Sequence, residues 1–113
     1  MIIDGVEYVR KDERATAVDG MPYQIVRTLS AGVFAGFVAS RDGQEVVMKR
    51  ARRLWRWAGA ASLSQLAMEG TSKPLDCKFP CEVESTTLLQ AIEILDVTEK
   101  AQKSISEVAI WKA

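Results

Sequence analysis

Apolar and polar residues follow one another along this chain in short blocks separated by glycine-containing turns. Ile2-Ile3 and the block from Val6 to Val9 flank Asp4-Gly5, a strong signal for a two-residue type I′ turn, so residues 2–9 are expected to form a small hairpin. The polar stretch from Arg10 to Pro22 ends in Asp19-Gly20 and reads as a linker or a frayed turn of helix. Residues 1–20 are thus expected to be an arm and residues 21–113 a single domain. From Tyr23 to Leu29, alternation puts Ile25, Arg27 and Leu29 on one face of a strand and Val26 and Thr28 on the other. Ser30-Ala31-Gly32 breaks that strand. Val33 to Ala39 is then nearly all apolar, the pattern of a central strand covered on both faces, and Gly36 leaves room for another backbone or a ligand to approach.

Arg41-Asp42-Gly43 is the next turn. Glu45 to Trp57 fits both a helical and a strand period; the hairpin-like turn before it and the aromatic residues at its end favour a strand, with a bulge near Ala51. Ser62-Leu63-Ser64-Gln65 is a capping box opening a helix of about two turns that stops at Gly70. A loop containing Pro74 leads to a short edge strand over 79–84, where Cys77, Phe79, Cys81 and Val83 share one face. Leu88 to Val97 reads as a strand on the strength of Ile92, Ile94 and Val97. Thr98 caps a helix over 99–106, and Val108 to Trp111 closes the chain as a last short strand. The sum is an α+β fold: a mostly antiparallel sheet of about five or six strands with two short helices packed on it.

Composition narrows the chemistry. The chain has 113 residues, enough for one core, and no apolar run approaches the roughly 20 residues of a membrane span. Its acidic N-terminus is not a secretion signal, so a cytoplasmic location is expected. Histidine is absent, which removes the commonest general base and the commonest zinc ligand. Cys77 and Cys81, without histidine, do not make a zinc site and read as buried free thiols. Glu82 and Glu84 form a solvated strand face; with Glu93 they could pair across strands, yet no histidine or activated nucleophile accompanies them. Ser30, Ser62 and Ser64 lack a partner base. A catalytic role, a metal and a cofactor are therefore not expected.

The formal charge is zero but unevenly spread. Residues 1–56 carry ten basic and seven acidic side chains, residues 57–113 five and eight. All eight arginines lie between Arg10 and Arg56, and every later basic residue is lysine. Arginine offers a planar fork that fits phosphate and stacks on rings, whereas lysine is a point charge. The run Lys49 to Trp57 is the densest part. On a strand, Arg50, Arg52 and Arg56 point one way and Arg53, Trp55 and Trp57 the other. With the Ser30 to Gly36 turn and the helix start at Ser62 nearby, this suggests a pocket for something flat and anionic. The expected ligand-binding residues are Arg27, Ser30, Gly32, Arg52, Arg53, Trp55, Trp57 and Ser62, with the arginines and the helix N-terminus on phosphates and a tryptophan under a base. The same residues, read blandly, are a solvated strand face, a tight hairpin and an ordinary helix cap.

The segments YQIVRTLSAGVFAG, EVVMKRARRLWRWAGAASLSQLAMEGTSKP and CKFPCEVESTTLLQAIEILDVTEKAQKSI together resemble a family of short proteins encoded by tailed phages and prophages. The likeness runs from about Tyr23 to the C-terminus, and departs from the pattern at Leu29 and Arg56, where the family carries aromatic residues. It implies an accessory phage protein, neither capsid nor polymerase, and names no ligand. By analogy with other small phage oligomers, the first expectation is a non-catalytic homo-oligomer that binds a nucleotide-like small molecule and sequesters a host immune signal. The alternatives are a module that caps or inhibits a host protein through Trp55, Trp57 and the arginines, and a nucleic-acid-binding accessory factor. Zero net charge speaks against duplex nucleic acid as the partner.

Overall fold

In a computed structural model the described residues are Ile2–Ile3, Val6–Glu7 and 14–113. Ile2–Ile3 (β1) pairs antiparallel with Val6–Glu7 (β2), as the hairpin pattern predicts; the Asp4-Gly5 turn and residues 10–13 of the linker lie outside the described residues. The main sheet is built from Tyr23–Thr28 (β3), Val33–Asp42 (β4), Glu45–Arg53 (β5), Glu82–Leu88 (β6) and Ala91–Asp96 (β7). Their order is β6-β5-β4-β3-β7 and every neighbouring pair is antiparallel. Two helices, Leu63–Glu69 (α1) and Glu99–Glu107 (α2), pack on it, so the expected α+β architecture is observed, with an open sheet. No helix among the described residues is long and apolar enough to cross a membrane.

The two faces of the sheet are covered in different ways. On one face Tyr23, Ile25, Ala35 and Phe37 meet Leu66 and Ala67 of α1, and Ala101 and Ile105 of α2. On the other face no helix of the described residues lies, yet Val26, Val46 and Met48 are fully buried. The sheet covers this face itself. β6 and β7 stand at opposite edges but are joined by only Leu89 and Gln90. Four strand spacings in a flat sheet span roughly 19 Å, while three Cα steps reach at most about 11 Å. The sheet must therefore roll until its edges approach at one end. The Ala91 amide donates to the Gln44 carbonyl at 2.9 Å, tying the start of β7 to the β4–β5 turn, and the Leu29 amide donates to that of Gln90 at 2.9 Å beside the β3–β7 pair; the sheet rolls but stays open.

Two bulges in the β4–β5 pair make the bend. Ala35 faces Arg52 and Phe37 faces Lys49, so Arg50 and Ala51 together oppose Gly36, where the bulge was expected; Arg50 sits at φ 50. Ala39 is the extra residue of the second. A Cβ on Gly36 would lie 2.8 Å from the Ala51 Cα, so the sequence keeps glycine where the β5 backbone crosses closest.

Several boundaries differ from the sequence reading. β5 ends at Arg53 rather than Trp57, because past the Leu54 amide, which still bonds to β4, the chain leaves that strand and Arg56 bridges to Lys78 instead. The edge strand starts at Glu82, past Pro80, so Cys77 and Phe79 are buried while Cys81 and Val83 are exposed; only one of the two thiols is in the core. The last strand is reduced to a single bridge between Phe79 and Ile110. Asp19 and Gly20, both at positive φ, make the two-residue turn between Val18 and Met21. Part of the expected arm is docked: the Ala15 amide donates to the Val97 carbonyl, and Arg14 bridges Thr98.

Replacing Gly36 with alanine should force the two backbones apart at the bend. The expected loss is about 1–3 kcal/mol of stability, read as a lower urea midpoint. A Gly36→Ala variant as stable as wild type would show that the bend does not need this contact.

Candidate functional site

The segment after β5 sets up the site. The Leu54 amide donates to the Val33 carbonyl at 2.8 Å, and Leu54 itself is in the core. Alternation then puts the neighbouring Trp55 outward, 64 % exposed. Trp57 turns partly inward against the helix-side core. The C-terminal segment supplies the third tryptophan: the Trp111 amide donates to the Phe79 carbonyl at 3.0 Å. Its ring stacks on Trp55, with centroids 6.5 Å apart and planes 9° from parallel. This stacked pair is exposed, unlike a core aromatic pair.

A cleft of about 250 Å³ opens beside Trp55, lined by Ser30 to Val33 of the β3–β4 turn and by Arg53, Leu54, Trp55 and Trp57. Thr28 holds the turn: its hydroxyl donates to the Gly32 carbonyl and accepts from the Ala31 amide. The Arg53 guanidinium lies over the Phe34 ring, 4.6 Å from its centroid. Among the described residues the ion pairs are Arg14–Asp96, Arg27–Glu93 and Arg50–Glu82, so Arg53 keeps its fork free. On the other side of the stacked pair, a second cleft of about 450 Å³ is lined by Arg56, Lys73, Lys78 and Trp111, with Asp76 at hand.

Of the eight residues singled out from the sequence, five share the first cleft: Ser30, Gly32, Arg53, Trp55 and Trp57. The other three do not converge on it. Arg27 donates through Nε to Glu93 at 2.9 Å, on β7, which flanks β3 on the side away from β4 and β5. Ser62 is occupied as the cap: its hydroxyl accepts the Gln65 amide, and the Gln65 side chain reaches back to the Ala61 amide at 2.7 Å. The Ser62 cap is thus real, with the return contact made to the amide before Ser62 rather than to its own, and the cap takes up the Gln65 amide, one of the donors an anion would need.

Arg52 is the clearest correction. Adjacent strand residues point to opposite faces, so Arg52 and Arg53 cannot grip one ligand. Arg52 is 5 % exposed on the helix side and donates to five main-chain carbonyls: Pro80 through Nε, Ile105 through Nη1, and Phe79, Val108 and Ala109 through Nη2, at 2.6 to 3.1 Å. Two of those carbonyls, Ile105 and the C-cap Val108, belong to the C-terminal end of α2, the negative end of its dipole, and that of Ala109 follows directly. Burial pulls the Arg52 pKa below its ordinary value, opposed by the nearby Tyr23 and Glu82, yet a guanidinium stays charged in a protein.

Arg56, Lys73, Lys78 and Trp111 were not read as site residues. Arg56 stands out in the sequence through the basic run and as a departure from the phage-family pattern that makes the candidate anion site more basic, but its pairing with Lys78 is a long-range contact that no local pattern announces. A family model described as domain of unknown function DUF6948 matches residues 21–105, and the chain belongs to that family. The match takes in the main sheet and most of α2, and stops before Trp111. Neither the curated proteins nor the solved structures contain a match to the chain.

The two neighbouring arginines should separate cleanly. Arg52→Met leaves a set of buried carbonyls without donors and should cost about 3 kcal/mol or more. Arg53→Met, which loses one exposed cation–π contact, should cost no more than about 1 kcal/mol. Thermal melting of both variants checks this; equal losses would contradict the assignment of Arg52 to the scaffold.

Proposed function

We propose that the protein is a non-catalytic binder of a nucleotide-like anion, with the cleft at Arg53 and Trp55 as its recognition site. The observation that carries this is a free arginine fork beside an exposed tryptophan, over a turn of small residues, in a protein with no net charge. A guanidinium held over Phe34 is pre-oriented, so little of its freedom is lost when it meets a phosphate. Trp55 offers a flat surface for a base, and Trp57 closes the side of the cleft towards the core. Five of the residues joined in the sequence come from two separate stretches, the β3–β4 turn and the end of β5 with the residues after it, which supports a site more than any one of them does. The resemblance to short phage and prophage proteins supports an accessory role inside a host cell, where such a binder would sequester a signalling nucleotide. The unpaired outer edge of β6 is consistent with copies of the chain associating.

A second reading has its own support. Leu75 is 95 % exposed and Ile110 56 %, both close to the tryptophan pair in sequence or space. Exposed large apolar residues around basic side chains also suit a protein partner, in which case Trp55 and Trp111 would be anchors.

Isothermal calorimetry against cyclic dinucleotides and ADP-ribose derivatives tests the first reading. Arg53→Ala should weaken binding roughly ten- to hundredfold, since a charge-assisted hydrogen bond contributes about 1.5–3 kcal/mol. Arg53→Lys should recover only part of that, and neither variant should lose melting temperature in proportion. If no compound binds wild type, the protein-partner reading replaces this one.

A further inference from the structure

The first cleft is small for a whole nucleotide ligand, about 250 Å³ against the roughly 300–1,000 Å³ usual for ligand sites. A ligand seated there must extend beyond it. Trp55 lines this cleft, Trp111 lines the second, and the two rings stack on each other, so the clefts adjoin across the tryptophan pair.

The second cleft is built for charge rather than for a base. Arg56, Lys73 and Lys78 line it against a single carboxylate, Asp76. None of the three cations belongs to any of the ion pairs found among the described residues. Lys78 Nζ already lies over the Trp111 ring, 5.4 Å from its centroid, so that face is taken and a base would find no platform there. The backbone that carries these side chains is also held in place. Arg56 and Lys78 exchange main-chain hydrogen bonds at 2.8 and 3.2 Å. The loop carrying Lys73 is clamped to the segment after Trp57: the Thr71 hydroxyl donates to the Ala58 carbonyl and the Ser72 amide to that of Gly59. Gly59 sits at φ 78 with the Ser72 and Lys73 amides against it, where any Cβ would collide with both.

We infer that the Arg56–Lys73–Lys78 cleft is a second phosphate subsite, so that the ligand carries two phosphates, one on each side of the Trp55–Trp111 pair. This rests on the nucleotide-binding reading of the first cleft. The ligand class is a dinucleotide, linear or cyclic, rather than a mononucleotide. A base occupies the Trp55 side with the first phosphate on Arg53, and the second phosphate crosses the pair to the lysines.

The test is calorimetry of the full chain with three probes: 5′-AMP, the 5′-phosphorylated linear dinucleotide pApA, and cyclic di-AMP. Wild type should bind at least one two-phosphate probe about tenfold or more tighter than AMP. Its affinity should fall more steeply with salt, by a slope of about 0.7 for the added phosphate. Whichever of pApA and cyclic di-AMP gains tells whether the linear or the cyclic form fits. The double variant Lys73→Gln/Lys78→Gln should lose the tenfold gain and the extra salt slope, keep AMP affinity within about twofold, and melt as wild type. Equal binding of AMP and both two-phosphate probes overturns the subsite while leaving the first cleft's role intact. A double variant that weakens AMP as much as the others also overturns it. If none of the three probes binds wild type, the nucleotide reading fails, and the subsite with it.

Discussion

The structure depends on one buried cation. Arg52 sits at the end of β5, the last residue but one before the chain leaves the sheet, and its guanidinium collects carbonyls from three places: the Phe79–Pro80 segment, the last turn of α2 and the start of the C-terminal tail. A helix end leaves its final carbonyls unpaired, and here α2 ends without glycine or a basic residue in its last turn. A side chain from the sheet does that work instead. Because the same guanidinium also holds Phe79 and Ala109, it fixes the two segments that bring Trp111 beside Trp55. The recognition face thus hangs on a residue that touches no ligand.

The rolled sheet places the rest. Since β6 and β7 are joined by two residues, the β4–β5 hairpin has to bend back over β3 and β7, and that bend encloses Val26, Phe34, Val46 and Met48 with no third layer among the described residues. Phe34 is shared between the two stories. Its ring belongs to this second core and is also the surface on which Arg53 rests, so the free arginine is aimed by the packing of the sheet's far face. Helix packing on one face and rolling on the other leave the tryptophan face as the exposed margin where sheet, helix loop and tail meet.

Much of the fold was legible in the sequence because its signals are local. The Ser62–Gln65 box, the Thr98 cap and the Gly70 stop are each decided within one turn of helix. The bulge at Ala51 and the need for glycine at 36 were legible from the conflict of periods around them. What was not legible was non-local. The ends of β5 and β6 are set by the Arg56–Lys78 bridge, and the C-terminal strand gives way to a tail whose position follows from Arg52. The candidate site divides the same way. Arg53, Trp55 and Trp57 lie on one side of a strand pattern and share a cleft with Ser30 and Gly32. The strand alternation itself separates Arg52 from them. Ser62 is withdrawn by its own cap, which the sequence announces, while Arg27 is withdrawn by Glu93, a partner that proximity in sequence does not identify. The second cleft was invisible because its cations come from three places separated by turns.

The two adjacent arginines do opposite jobs, Arg52 locked in the scaffold and Arg53 free at the surface. Side-chain Nε hydrogen exchange, measured by NMR on arginine-labelled protein, reads this directly. The account predicts that the Arg52 Nε proton exchanges as slowly as the core amides of β4 and β5, while that of Arg53 exchanges at a rate close to that of a solvated guanidinium. An Arg52 Nε proton exchanging as fast as that of Arg53 would contradict it.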